Sequence, residues 1–166
     1  MFVPTARRLL FNAKSASLKL RTHHVPSRTL VTLKDVKYTA TATAEGPGWN
    51  GTTTSNGLTV TMAVPKVMGG TGEGANPEQL LALGYSSCLL GSIQAVAEKL
   101  GKSDMAATAK VHASVHVGTP NELAGYGFAV DVKVEGVDEE LLKAGHEFCP
   151  YSRALTNGTV VNVSLA

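Results

Sequence analysis

Cys88 and Cys149 are the only two thiols in a chain of 166 residues, and they carry the sharpest chemistry its side chains offer. A thiolate is a nucleophile toward peroxides, disulfides and metals, and its strength depends on burial and neighbouring charge. Cys88 lies inside a long apolar stretch, where the bland reading is a small core hydrophobe. Cys149 precedes Pro150 at a helix boundary, where amide donors can help a thiolate. Two cysteines so placed are compatible with one reversible disulfide, and the core reading of Cys88 stays open beside it. They are too few for a disulfide-dense secreted scaffold and form no CxxC pair.

The remaining candidates are weaker. His112 and His116 stand four apart on an alternating run and share a face. Without a third ligand at suitable spacing, they read as solvated or hydrogen-bonded strand histidines rather than a metal site. His146 lies three residues before Cys149 and either perturbs it or faces water. No GxSxG nucleophile motif is present. The Gly-rich stretch 65–76 (PKVMGGTGEGAN) lacks the GxxxxGK[ST] phosphate cradle.

These residues need elements to hold them. With 43% hydrophobic and 17% charged residues, the chain can bury the core of one domain. Residues 36–45 (VKYTATATAE) alternate like a half-buried strand. Two Asn-Gly turns, Asn50-Gly51 and Asn56-Gly57, bracket a second strand at 52–55 and lead to a third at 58–64. Asn76 is a helix cap, Pro77 suits the first helical position, and Glu78 and Gln79 fall where the positive helix end favours them. The helix should run to Leu100 and stop at Gly101. It is apolar or small nearly all round, which predicts burial on most sides, in the core or in a dimer. Strands at 108–117 and 126–135, a helix at 137–148, a turn or short helix from Cys149 and a last strand at 159–165 follow. The order β-β-β-α-β-β-α-β predicts an α+β fold with mainly antiparallel pairing around that central helix. No uninterrupted apolar run approaches the ~18 residues of a membrane span, so none is expected.

Charge is split along the chain. Residues 1–34 hold seven basic residues and no acidic ones, whereas 35–166 carry a net charge of −5. The slightly basic average therefore gives no nucleic-acid footprint in the folded part. The head mixes Arg7, Arg8, Arg21 and Arg28 with serines and with Leu9, Leu10, Phe11 and Leu18. That is the composition of a mitochondrial transit peptide, and Arg28-Thr29-Leu30 resembles a matrix-peptidase cleavage context. Residues 1–30 are accordingly set apart from a domain at 31–166. The alternative is a basic arm that stays on the protein.

The stretch GGTGEGANPEQLLALGYSSC at 69–88, followed by HEFCPYSRA at 146–154, resembles the organic hydroperoxide resistance (Ohr) family of the wider Ohr/OsmC group. The opening YTATATAEG at 38–46 is similar to that family's first strand. The resemblance covers essentially all of 36–166, and the NPEQL and CPYS versions favour the Ohr branch. It implies a thiol peroxidase acting on alkyl and lipid hydroperoxides. Cys88 would attack the peroxide and become a sulfenic acid, and Cys149 would condense with it to a disulfide. It also implies dihydrolipoyl groups, as dihydrolipoamide or a lipoylated protein, as the reductant, with no bound cofactor. Lipoylated dehydrogenase complexes reside in the mitochondrial matrix, in keeping with the basic head. A second reading is a non-catalytic redox sensor or binding module switched by the same disulfide.

The family places an arginine in the turn after its first strand, held by the glutamate of NPEQ. Glu78 matches that glutamate, but Trp49 stands where the arginine is expected. Arg153 is the only arginine beyond residue 28, four residues past Cys149, and is the expected replacement, with Lys66 behind it. Glu78 and Cys88, ten residues apart, are separated on a continuous helix by about 15 Å of rise and some 80° of rotation. Glu78 can then serve a thiol only in a second chain, which predicts an obligate two-fold homodimer with composite sites.

Removing residues 1–30 should leave a folded domain in vitro but strand it in the cytosol of cells. Microscopy or fractionation showing the truncated protein still in the matrix would rule the transit peptide out.

Overall fold

The computed structural model describes residues 30–165. Strands β1 (Thr43–Glu45), β2 (Thr52–Ser55) and β3 (Leu58–Thr61) form an antiparallel sheet in that order. Helix α1 (Pro77–Leu100) follows, then the short α2 (Ser103–Ala107). Strands β4 (Lys110–Gly118) and β5 (Gly127–Glu135) make a long antiparallel hairpin, and α3 (Glu139–Phe148) and α4 (Pro150–Asn157) complete the order. The expected α+β class with antiparallel sheets and one long helix is what the chain adopts.

The start of α1 is built as its residue types dictate. Asn76 Oδ1 accepts from the Gln79 amide at 2.8 Å, and Gln79 Oε1 accepts from the Asn76 amide at 2.9 Å. This reciprocal cap satisfies two donors that a helix start otherwise leaves unpaired. At the far end Gly101 takes the left-handed conformation (φ 67°) and its amide closes on the Ala97 carbonyl, a geometry that favours glycine.

One face of α1, carrying Tyr85, Leu89, Ile93 and Ala97, is buried together with Ala106, Leu141 and Cys149. The inward valines of the hairpin, Val111, Val130, Val132 and Val134, pack on this cluster. Gly145 lets α3 approach α1 closely: a Cβ there would lie 3.0 Å from the Ile93 Cα and strike the Ile93 side chain. Asp138 caps α3 by accepting from the Leu141 amide at 2.9 Å and pairs with Lys102 at 2.7 Å, which ties the two ends together.

Several expectations are corrected. The opposite face of α1 is open, with Leu83 66% exposed, so within one chain the helix is not buried on most sides. By length and composition α1 is apolar enough to cross a membrane. Glycine, serine and glutamine interrupt its apolar run, so the uninterrupted-run criterion passes over it, and its packing against β4 and α3 makes it the core helix. The first strand is only three residues long, Thr43–Glu45, and just before it the Ser55 hydroxyl of β2 donates to the Thr41 carbonyl at 2.7 Å. The third strand ends at Thr61 rather than Val64. Residues 159–165 form no strand; Thr159 makes one bridge to Val31, and Val161, Val163 and Leu165 stay exposed. Alternation supplies a face, but a strand also needs a neighbour for its amides. Helix α2 and the full length of α4 were not anticipated.

Gly145→Ala should destabilise the domain by about 1–3 kcal/mol, the usual cost of overpacking, because a backbone atom blocks the new methyl. Urea denaturation measures this, and an unchanged midpoint would mean that α1 and α3 separate without cost.

Candidate active site

Cys149 is seated where two helices meet. It is both the residue after α3 and the residue before α4. Pro150 disfavours the helical conformation for the residue before it, and Cys149 is extended (φ −67°, ψ 123°). Its amide donates to the Gly145 carbonyl and its carbonyl accepts from the Arg153 amide, both at 3.0 Å. The chain thus turns at one residue while keeping a hydrogen bond to each helix. This turn drives the side chain inward, where it is completely buried.

The inward sulfur meets α1. Cys149 Sγ lies 3.7 Å from Cys88 Sγ, and both thiols are free. A disulfide needs a sulfur separation of about 2.05 Å, so closing the bond asks for about 1.7 Å of approach. Around the pair, Tyr85 and Ser152 hydroxyls hydrogen-bond at 2.9 Å in the interior. The Tyr85 and Tyr151 rings stack with centroids 6.0 Å apart. Gly84 makes room for this, since a Cβ there would come within 2.9 Å of the Tyr151 hydroxyl. Ser92 Oγ donates to the Cys88 carbonyl at 2.8 Å.

The two sulfurs feel different fields. Burial pushes the Cys88 thiol up, and the hydrogen bond with Cys149 adds to this; the Tyr151 amide and Ser92 hydroxyl offset only part. Burial also pushes Cys149 up, but the Ser152 amide and hydroxyl, the Cys88 thiol and the Tyr151 amide outweigh it and hold Cys149 below the ordinary thiol range. The donors sit at the N-terminal end of α4, where unpaired amides favour negative charge. Within the single chain the donors thus favour charge on Cys149 over Cys88, while Cys88 is the more exposed sulfur.

Arg153 is not brought to the thiols of its own chain. Its Nε donates to the Glu147 carbonyl at 2.6 Å, and it lines a surface cavity with His146 and Asn157. The last carbonyls of α3 have no partners within that helix, and a guanidinium one turn away satisfies one of them. That competing contact is why spacing alone misplaces it. Glu78 stays at the start of the unbroken α1, away from Cys88, and lines a cavity of about 410 Å³ with Trp49. Trp49, in the single helical turn Gly48–Asn50, is 63% exposed. Lys66 is exposed at the start of the single 3-10 turn Lys66–Met68. His112 and His116 face Glu135 and Asp131 across the hairpin at 3.2 and 3.0 Å. His146 is exposed in the last turn of α3.

Ser152, Tyr85, Tyr151 and Ser92 complete the thiol site and were assigned no role from sequence. A serine and a tyrosine directly after Cys-Pro were a usable signal, because residues in a helix's first turn present their amides to the group that caps it.

Ser152→Ala should raise the Cys149 pKa by removing the hydroxyl donor, whereas Arg153→Ala should leave it in place and cost roughly 0.3–1 kcal/mol of stability. Thiolate absorbance against pH, read in a Cys88→Ser background, distinguishes the two. A Cys149 titration that moves in Arg153→Ala would return the arginine to the thiol site.

Comparison with known proteins places the chain by sequence and fold. Residues 70–164 match the family model described as OsmC-like protein. An organic hydroperoxide resistance protein of Xanthomonas axonopodis pv. citri is 36% identical over 140 residues, spanning 79% of this chain and 96% of its own. An uncharacterised protein of Acinetobacter baylyi is 41% identical over 146 residues, spanning 81% of this chain and 97% of its own. The crystal structure of the organic hydroperoxide resistance protein OhrB of Bacillus subtilis superposes with a TM-score of 0.61 at 32% identity, covering 74% of this chain and 93% of that one. An organic hydroperoxide resistance protein from Legionella pneumophila gives 0.66 at 30% identity over 75% and 94%. With a matching family model, similar relatives and a shared fold, the chain belongs to the OsmC-like family, among relatives named for organic hydroperoxide resistance.

Proposed function

We propose that this protein is a thiol peroxidase of the mitochondrial matrix that reduces organic hydroperoxides to alcohols and is recycled by dihydrolipoyl groups. The observation that carries the reading is the 3.7 Å separation of two free thiols, one buried and one more open. The names of the relatives support the peroxide as the oxidant.

Access favours Cys88 as the attacking sulfur, and charge favours Cys149 as the resting thiolate. The hydrogen bond between them reconciles the two. Cys149 takes the proton of Cys88 as the Cys88 sulfur attacks the peroxide, so the base is built into the pair. The O–O bond breaks, Cys88 becomes a sulfenic acid, and the alkoxide leaves as an alcohol with a proton from water. Cys149, now a thiol, attacks the sulfenic sulfur; the S–O bond breaks, water leaves and the disulfide forms. A dihydrolipoyl dithiol then reduces the disulfide by two exchange steps and leaves as the cyclic disulfide.

The second chain belongs to the same proposal. The open face of α1, the exposed alternating residues at 36–42 and the exposed 160–165 are surfaces that a two-fold homodimer would cover. Packing two α1 helices antiparallel would carry each Glu78 toward the partner's thiol pair, giving two equivalent composite sites.

Peroxide consumption should continue for many turnovers with dihydrolipoamide and fail with thioredoxin. Cys88→Ser should abolish it, and Cys149→Ser should reduce one equivalent and leave Cys88 trapped as the sulfenic acid. Oxidation that stops at one equivalent in the wild type with either reductant would replace the enzyme by a redox sensor. Equal loss of the first turnover in both mutants would overturn the order of attack.

A further inference from the structure

The cavity at the start of α1 holds a carboxylate without a countercharge. It encloses about 410 Å³, and Trp49, Pro65, Met68, Glu78, Val117 and Tyr126 are among the residues that line it. Its two asparagine side chains are committed to the backbone. Asn50 Oδ1 accepts from the Val64 amide at 3.1 Å and Asn76 Oδ1 from the Gln79 amide at 2.8 Å. Among the described residues Glu78 is the one charged side chain lining the cavity, and no cation pairs with it. The two aromatic rings stay open, with Trp49 63% and Tyr126 67% exposed.

The walls are set by close backbone approaches. A Cβ on Gly51 would run into the Glu45 carbonyl and lie 3.2 Å from the Gly48 carbonyl, and one on Gly70 would strike Val64. The Gly51 amide closes the Trp49 turn on the Gly48 carbonyl at 3.1 Å. The cavity is therefore held by the fold.

A carboxylate beside two aromatic rings and a thioether is a donor set for an organic ammonium ion. The charge attracts it directly, the negative ring faces attract it through their quadrupoles, and the alkyl substituents gain apolar contact. An anion would meet repulsion. A neutral apolar ligand would strip water from Glu78 and give it no partner. We infer that this cavity binds organic ammonium groups, and that through it the protein selects hydroperoxides whose tails carry one. The selection of hydroperoxides rests on the peroxidase reading and on the second chain that brings Glu78 to a thiol pair; the binding of the cation rests on neither.

Trp49 is the only tryptophan in the chain, so its emission reports on the cavity alone. Titrating the full-length reduced protein with tetraethylammonium should give a saturable change in emission, absent with pivalate. The affinity should fall about tenfold in Glu78→Gln. Tyr126→Leu, remote from the cap of α1, should also weaken it and guards against a folding defect in the first variant. In turnover, an alkyl hydroperoxide with a trimethylammonium tail should exceed its carboxylate-tailed counterpart in kcat/KM by about tenfold. Trp49→Arg, which sets a cation beside Glu78, should bring that ratio to about one or below. No response to tetraethylammonium, or an equal response in Glu78→Gln, overturns the site. Cation binding without a preference between the two tails confines it to free amines and overturns the selection. Cation binding with no peroxide reduction of any kind leaves the site standing and removes the peroxidase reading.

Discussion

The backbone turn at Cys149 is the constraint on which the thiol site depends. One extended residue, restricted by the following proline, must end α3, begin α4 and point its side chain at α1. Hydrogen bonds to Gly145 behind and from Arg153 ahead lock that geometry. The close packing of α3 on α1 at Gly145 sets the distance from which the sulfur reaches inward. A shift of either helix would move Cys149 relative to Cys88, so packing in the core and sulfur separation are one quantity. The Tyr85–Ser152 hydrogen bond secures the same joint from the other side, tying the middle of α1 to the first turn of α4.

The same turn decides the electrostatics. Amides at the start of α4 have no partners within their helix, and a buried sulfur next to them becomes their acceptor. This favours charge on the less accessible thiol and leaves the proton on the more accessible one. Among the described residues no cation shifts either thiol, and the donors that lower Cys149 come chiefly from the start of α4.

Much of this was legible in the residues. The start and stop of α1 were readable because Asn76, Pro77, Gln79 and Gly101 each act locally, through their own backbone neighbours. The hairpin of β4 and β5 was readable because its alternation and its partner lie in one stretch of chain. The two cysteines were identified by type and by motif, but their contact spans sixty-one positions and no local rule contains it. Arg153 shows the limit most clearly. Its spacing puts it one turn past Cys149, yet its guanidinium donates to the Glu147 carbonyl. Spacing gives the reach of a side chain, and competition among acceptors gives its destination. Tyr85 is not singled out by the sequence, because its hydroxyl partner comes from a distant element.

The two failed strands and the open face of α1 share one physical cause. Residues 36–42 and 159–165 have the alternation of strands, and α1 has the composition of a helix buried all round, but the described residues of one chain do not cover all three. Leu83, Tyr38, Val161 and Val163 are left 66%, 76%, 75% and 92% exposed. Burying a large apolar side chain contributes about 1.5–3 kcal/mol, and an unpaired strand edge leaves a row of amides seeking acceptors. The surplus of pattern over partners is therefore information about what lies outside the chain. It points to the same two-fold arrangement that Glu78 requires if its carboxylate is to act at a thiol, since an unbroken α1 holds the two about 15 Å apart along its axis. Surface and site thus make a single demand, one that the proposed second copy of this chain would meet.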